Sequence, residues 1–106
     1  MASHWRRFEV LLPLQFNDGR EVPAEWLAEA FQEIVDHFGP ASYETQKLEG
    51  RWRKGGVLYR DTLVRLVVDV PDNPESRQWM KDFKIRWKTR LEQFDVWMIS
   101  HRIEVE

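Results

Sequence analysis

The feature that most limits how this chain can fold is the run Leu63-Val64-Arg65-Leu66-Val67-Val68-Asp69-Val70, where β-branched and other apolar residues are nearly continuous. Such a run reads as a central strand, covered on much of both faces. Just upstream, Lys54-Gly55-Gly56 offers the backbone freedom that a tight reversal needs, because short hairpin loops favour positive φ. The stretch from about Leu48 through the glycines to Val70 is therefore one hairpin, with Val57 to Val70 as its second arm. Everything else must be a strand beside this pair or a layer laid on it.

A chain of 106 residues, 42% of them hydrophobic, suits one domain spanning 1–106 with a core large enough to fold without staples. Charged residues make up 32%, yet they nearly cancel to a formal −2, so no overall basicity points to nucleic acid. The absence of cysteine excludes disulfides, thiol nucleophiles and Cys-ligated metals. It also fits a reducing compartment, and a cytoplasmic location is the expectation. The segment Met1-Ala2-Ser3-His4-Trp5-Arg6-Arg7 leads into no uncharged apolar stretch of signal-peptide kind. No run approaches the ~20 apolar residues of a membrane helix.

In chain order, Phe8, Val10, Leu12, Leu14 and Phe16 alternate with other residues, which predicts a strand over 6–16 with its even side buried. Pro13 cannot donate to a ladder, so pairing is expected to be lost or bulged there. Asn17-Asp18-Gly19 is a turn. Pro23 suits the first turn of a helix whose stripe is Trp26, Leu27, Ala30, Phe31, Ile34, Val35 and Phe38, ended by Gly39-Pro40. Residues 42–53 are polar on both sides and read as an edge strand. Asn73 and Pro74 cap and open a second helix that buries Met80, Phe83, Trp87 and Leu91 and leaves Ile85 exposed. A last strand is expected from about Phe94 to Val105, with the odd residues Trp97, Ile99, His101, Ile103 and Val105 inward.

The order β-α-β-β-α-β resembles the ferredoxin-like plait, an α+β sandwich of two layers. The resemblance implies a four-stranded antiparallel sheet in the order fourth-first-third-second, with both helices on one face. It places the two most apolar strands at the centre and the polar strand 42–53 at an edge, in agreement with the burial read from the residues. Architecture alone carries no function.

Catalytic chemistry is sparse. Of the three histidines, His4 lies near the terminus and His37 sits in the last turn of the first helix, where the dipole favours a cation. His101 and Asp61 are the weak catalytic candidates, as acid or base, and with Trp97 are the residues to test for a small-molecule enzyme of the dimeric plait-barrel kind working in an apolar cavity. Ser42, Ser76 and Ser100 lack a nucleophile-elbow context, and no His, Asp or Glu spacing suggests a metal; no cofactor is expected. The third strand, Arg60-Asp61-Thr62-Leu63-Val64-Arg65-Leu66-Val67, lacks the glycines and aromatics of an RNA-recognition module. The basic group Lys47, Arg51, Arg53, Lys54 and Arg60, with Trp52 and Tyr59, could still hold a phosphate or a single strand. A charge-blunted edge hairpin accounts for the same residues.

Two layout features remain. Glu25, Glu29, Glu33 and Asp36 make the first helix acidic, whereas Arg77, Lys81, Lys84, Arg86, Lys88 and Arg90 make the second basic, so side-by-side helices should pair Glu29 or Glu33 with a cation such as Lys84 or Lys88. Helices on one face also leave the other sheet face open. With the last strand's odd side inward, Leu11, Pro13, Leu63, Val67, Val96 and Met98 would form an apolar patch there, flanked by Glu9, Arg65 and Asp69. Large apolar patches tend to mark interfaces. The leading expectation is therefore a homodimeric binding or structural module joined through that face.

Overall fold

The computed structural model describes residues 4–106, with the side chains of 42–50, 52 and 57–61 outside the description. The elements are β1 (Trp5–Pro13), α1 (Ala24–Phe38), β2 (Ala41–Lys54), β3 (Val57–Pro71), α2 (Pro74–Arg90) and β4 (Met98–Ile103). The sheet runs β2-β3-β1-β4 and every neighbouring pair is antiparallel, the order the plait implies. None of the described helices is long and apolar enough to cross a membrane.

The centre of the sheet follows from the alternation in β1 and the even positions of β3. Phe8 lies opposite Val68, Val10 opposite Leu66 and Leu12 opposite Val64. Directly opposed residues share a face, so these six side chains make one apolar surface, and all are buried. Leu27, Ala30 and Ile34 of α1 and Met80, Phe83 and Trp87 of α2 close over it in a single core. Between β2 and β3, Gly55 (φ 58°) and Gly56 (φ 80°) form a two-residue loop with Lys54 opposite Val57. Positive φ at both positions is what a loop of that length requires to match strand twist.

β1 ends at Pro13, short of the expected 16. One ladder bond persists past the proline, Leu14 N–H donating to the Thr62 carbonyl at 2.8 Å, and the chain then turns with Phe16 N–H bonded to the Arg20 carbonyl at 2.8 Å. Phe16 is still buried, edge-on to Trp26 with ring centroids 5.8 Å apart. Asn73 caps α2 as expected, its side chain accepting from Ser76 N–H at 2.8 Å, and Ile85 points to solvent.

The acidic and basic helix stripes face each other, through arginines rather than Lys84 or Lys88. Arg90 donates to Glu29 at 2.8 Å; Glu33 accepts from Arg86 at 3.4 Å and from the Trp87 indole N–H at 3.0 Å. Lys84 instead pairs with Asp95 at 3.2 Å, beside the chain that enters β4.

β4 corrects the sequence expectation. It is shorter than 94–105, and its even side faces inward: Val96 is buried and Met98 packs against the core. Trp97, Ile99 and Val105 are 64%, 42% and 65% exposed, and His101 is exposed as well. The cause is register. Val10 opposes Met98 and Phe8 opposes Ser100, so the even side of β4 must share the face of the even side of β1. Ser100 and Arg102 make that side look polar; both stay exposed, yet both bond to a charge cluster at the sheet's end. Asp72, its side chain only 2% exposed, accepts from Arg6 at 2.9 Å and Arg102 at 3.0 Å, with Arg77 at 3.8 Å. Arg6 also donates to the Ser100 hydroxyl at 3.0 Å.

Two predictions follow from β4 and its anchor. Val96→Ala should cost about 1–3 kcal/mol in urea denaturation, and Trp97→Ala no more than about 0.5 kcal/mol; equal costs would overturn the face assignment. The arginine hydrogen bonds, Arg6 first, hold the Asp72 carboxyl below the usual carboxylate range. A depressed folded-state pKa adds stability that is present above the unfolded value, about 4, and is lost as pH falls through the folded one. Asp72→Asn should therefore lower the melting temperature at neutral pH, with the gap to wild type shrinking below about pH 4. A gap that does not change with pH would refute the role of the charge.

Candidate functional site

The open face of the sheet divides into two halves. At the end of β1 near Arg7, outward side chains are charged and pair within the chain: Arg7 grips Asp69 through two bonds of 2.7 and 3.0 Å, and Arg65 lies 3.5 Å from Glu9. The Asp69 carboxylate raises the Arg7 pKa further, chiefly by hydrogen bonding. At the other end the outward residues are Leu11 and Pro13 of β1 and Leu63 of β3, with Pro13 opposite Leu63.

A cavity of about 520 Å³ opens over this apolar end. It exists because the strands differ in length. β1 stops at Pro13, where it pairs with Leu63, while the β2–β3 hairpin runs on to Gly55-Gly56. On the other side the chain returning from α2 passes through residues 92–97 before β4 begins, and Leu11 N–H donates to the Trp97 carbonyl at 3.0 Å. Hairpin tip and returning chain meet where the Lys54 ammonium stands 4.1 Å from the centre of the Phe94 ring. The floor is thus Leu11, Pro13 and Leu63, and one wall is Phe94 and Trp97. Arg51, Arg53 and Lys54 of the hairpin also line it, Lys54 from the side of the sheet that carries Leu63. Gln93 and Asp95 complete the lining; Gln93 donates to the Leu91 carbonyl at 3.0 Å, and Asp95 accepts from Val96 N–H at 2.9 Å while pairing with Lys84.

Two residue sets read separately from the sequence therefore converge. Leu11, Pro13 and Leu63, assigned to an interface patch, share the cavity with Arg51, Arg53 and Lys54, assigned to anion binding. Val67 faces the same side without lining the cavity. Val96 and Met98 do not join the patch, because the inward register of β4 turns them to the core. Trp97 and Ile99 occupy the outward positions instead. His101 is exposed on the outward side opposite Arg7, away from the cavity. The side chains of Lys47, Trp52, Tyr59, Arg60 and Asp61 lie outside the described residues. Gln93, Phe94 and Asp95 are lining residues that sequence reasoning missed, since they sit on an irregular connection without periodicity. Trp97 was expected inward, and only the pairing of β4 with β1 turns it out to the cavity. Among the described residues, no three His, Asp or Glu side chains gather as metal ligands would.

No family model matches the chain, and no curated protein matches it. Among solved structures it is similar to a phage SAM lyase in complex with S-methyl-5'-thioadenosine, with a TM-score of 0.71 and 12% identity over 100% of this chain and 94% of that one. At that identity the likeness establishes the fold and leaves activity to the site.

Proposed function

We propose that the chain binds a small molecule with a flat apolar body, seated against Phe94 and Trp97 over the floor of Leu11, Pro13 and Leu63. The carrying observation is the cavity itself. Its size falls within the few-hundred to ~1,000 Å³ range of small-molecule sites. Its mix of apolar walls and a few converging polar groups is also typical of them, and an aromatic wall suits ring stacking. The likeness to a lyase solved with a nucleoside thioether makes nucleosides the first probes.

Binding of S-methyl-5'-thioadenosine or another nucleoside should raise the melting temperature, since a ligand selective for the folded state stabilises it by about 2.7 kcal/mol at a hundredfold excess over Kd. The rise should be lost in Phe94→Ala and Trp97→Ala. A broad panel of aromatic small molecules that leaves the wild-type melting temperature unmoved would overturn the reading.

Turnover of the bound molecule is a second reading, favoured by the likeness to an enzyme. Asp95 is the carboxylate among the described lining residues, and acting as a base would require it to leave Lys84. The exposure of Trp97 and Ile99 beside the cavity favours a third, compatible reading, a homodimer that meets through the open face. Light scattering at micromolar concentration should then give twice the chain mass, and Ile99→Asp, outside the cavity lining, should give monomers. A wild-type monomer across that range would exclude the dimer.

A further inference from the structure

Resting on the homodimer reading, and moving its contact from the face of the sheet to the edge, we infer that two copies of the chain pair along β4. They run antiparallel about His101, and their two four-stranded sheets merge into one. The two edges of the sheet differ in kind. β2 carries exposed Arg51, Arg53 and Lys54, and charged residues blunt an edge against pairing. β4 has neither lysine nor proline, and Trp97, Ile99 and Val105 stand exposed on the outward side of this strand and its flanks.

The hydrogen-bond parity of the sheet leaves the β4 edge ready for a partner. Leu14 N–H donates to the Thr62 carbonyl and Leu11 N–H to that of Trp97, so even residues of β1 bond to β3 and odd residues to β4. Within a strand, successive residues point their N–H and C=O groups to opposite sides. Trp97, Ile99, His101 and Ile103 therefore bond to β1, and the backbone groups of Met98, Ser100 and Arg102 point off the edge. In a second, antiparallel copy these even residues must bond to even residues. Among the registers that allow this, the one centred on His101 fits the side chains. Ile99 then opposes Ile103 of the second copy, Trp97 opposes its Val105, and the two His101 imidazoles meet at the two-fold axis. Moving the centre by one residue sets Ile99 against His101 in one direction and Arg102 against Arg102 in the other. On the inward side Arg102 opposes Ser100, with its charge already held by Asp72. Because Trp97 also lines the cavity, the second copy flanks the small-molecule site.

The chain has no cysteine, so a single introduced thiol reads the register without background. Directly opposed residues of a non-hydrogen-bonded pair have Cα atoms about 4.5 Å apart, within disulfide range. His101→Cys chains should therefore link to one another under mild oxidation, most of the protein running at twice the chain mass without reductant. Ile99→Cys alone should stay unlinked, since each Ile99 lies about 14 Å from its copy in this register. An equal mixture of Ile99→Cys and Ile103→Cys chains should link. His101 and Ile99 are exposed, so circular dichroism should show both variants folded. If the wild type is a dimer by light scattering but His101→Cys links no better than Ile99→Cys, the edge assignment is wrong and the homodimer stands. If the wild type is a monomer, both fall.

Discussion

Everything in this molecule depends on the register between β1 and β3. Val10 opposes Leu66 with Phe8–Val68 and Leu12–Val64 on either side, and because side chains alternate, this one alignment decides the facing of the whole sheet. A slip by one residue would put the odd side of one strand on the core face, bringing either Leu11 or Arg65 inward in place of its apolar neighbours. The outward ion pairs reinforce the same alignment. Arg7 and Asp69 are directly opposed, and a slip would separate them. Exposed pairs contribute only about 0–1 kcal/mol each, so the apolar face sets the register and the ions sharpen it.

From that register the other surfaces follow by propagation. β4 inherits the facing of β1, which buries Val96 and delivers Arg102 to the same side as Arg6. Arg6, its side chain only 17% exposed, would be costly at that end of the core if unpaired. Asp72, placed where β3 passes into α2, accepts from both Arg6 and Arg102 and closes that end of the sandwich. Across the top, Glu33 performs a related task between helices, satisfying the indole N–H of the buried Trp87 while it meets Arg86. The Arg6 guanidinium and the Trp87 indole N–H thus both have acceptors, which is how charged residues can close a core that includes a buried tryptophan.

The extent to which this was legible in the sequence varies with the range of the interaction. Strict alternation in Phe8, Val10 and Leu12, the Asn73-Pro74 start of α2 and the isolation of Ile85 are local signals, and the structure agrees with them. β4 failed because its inner side carries Ser100 and Arg102, whose partners Arg6 and Asp72 are distant in sequence. Hydrophobic periodicity cannot distinguish a polar side chain facing solvent from one facing a buried carboxylate. Pro13 was recognised as a break in pairing, yet its consequence lay elsewhere. By ending β1 early it leaves the hairpin overhanging, and an overhang, unlike a strand, has no sequence pattern of its own.

The site is the product of that overhang. In a plait with strands of equal length, the open face would be a flat surface. Here β3 is 15 residues long and β1 is 9, so the hairpin continues past the end of its neighbour and can lean toward the chain returning from α2. Topology thus determines where a cavity can form, at the truncated end of a central strand. The side chains that line it are not dictated by the plait, so a chain can match the fold along its whole length at 12% identity and line the cavity with residues of its own. The core positions that define the plait need only be apolar and in register.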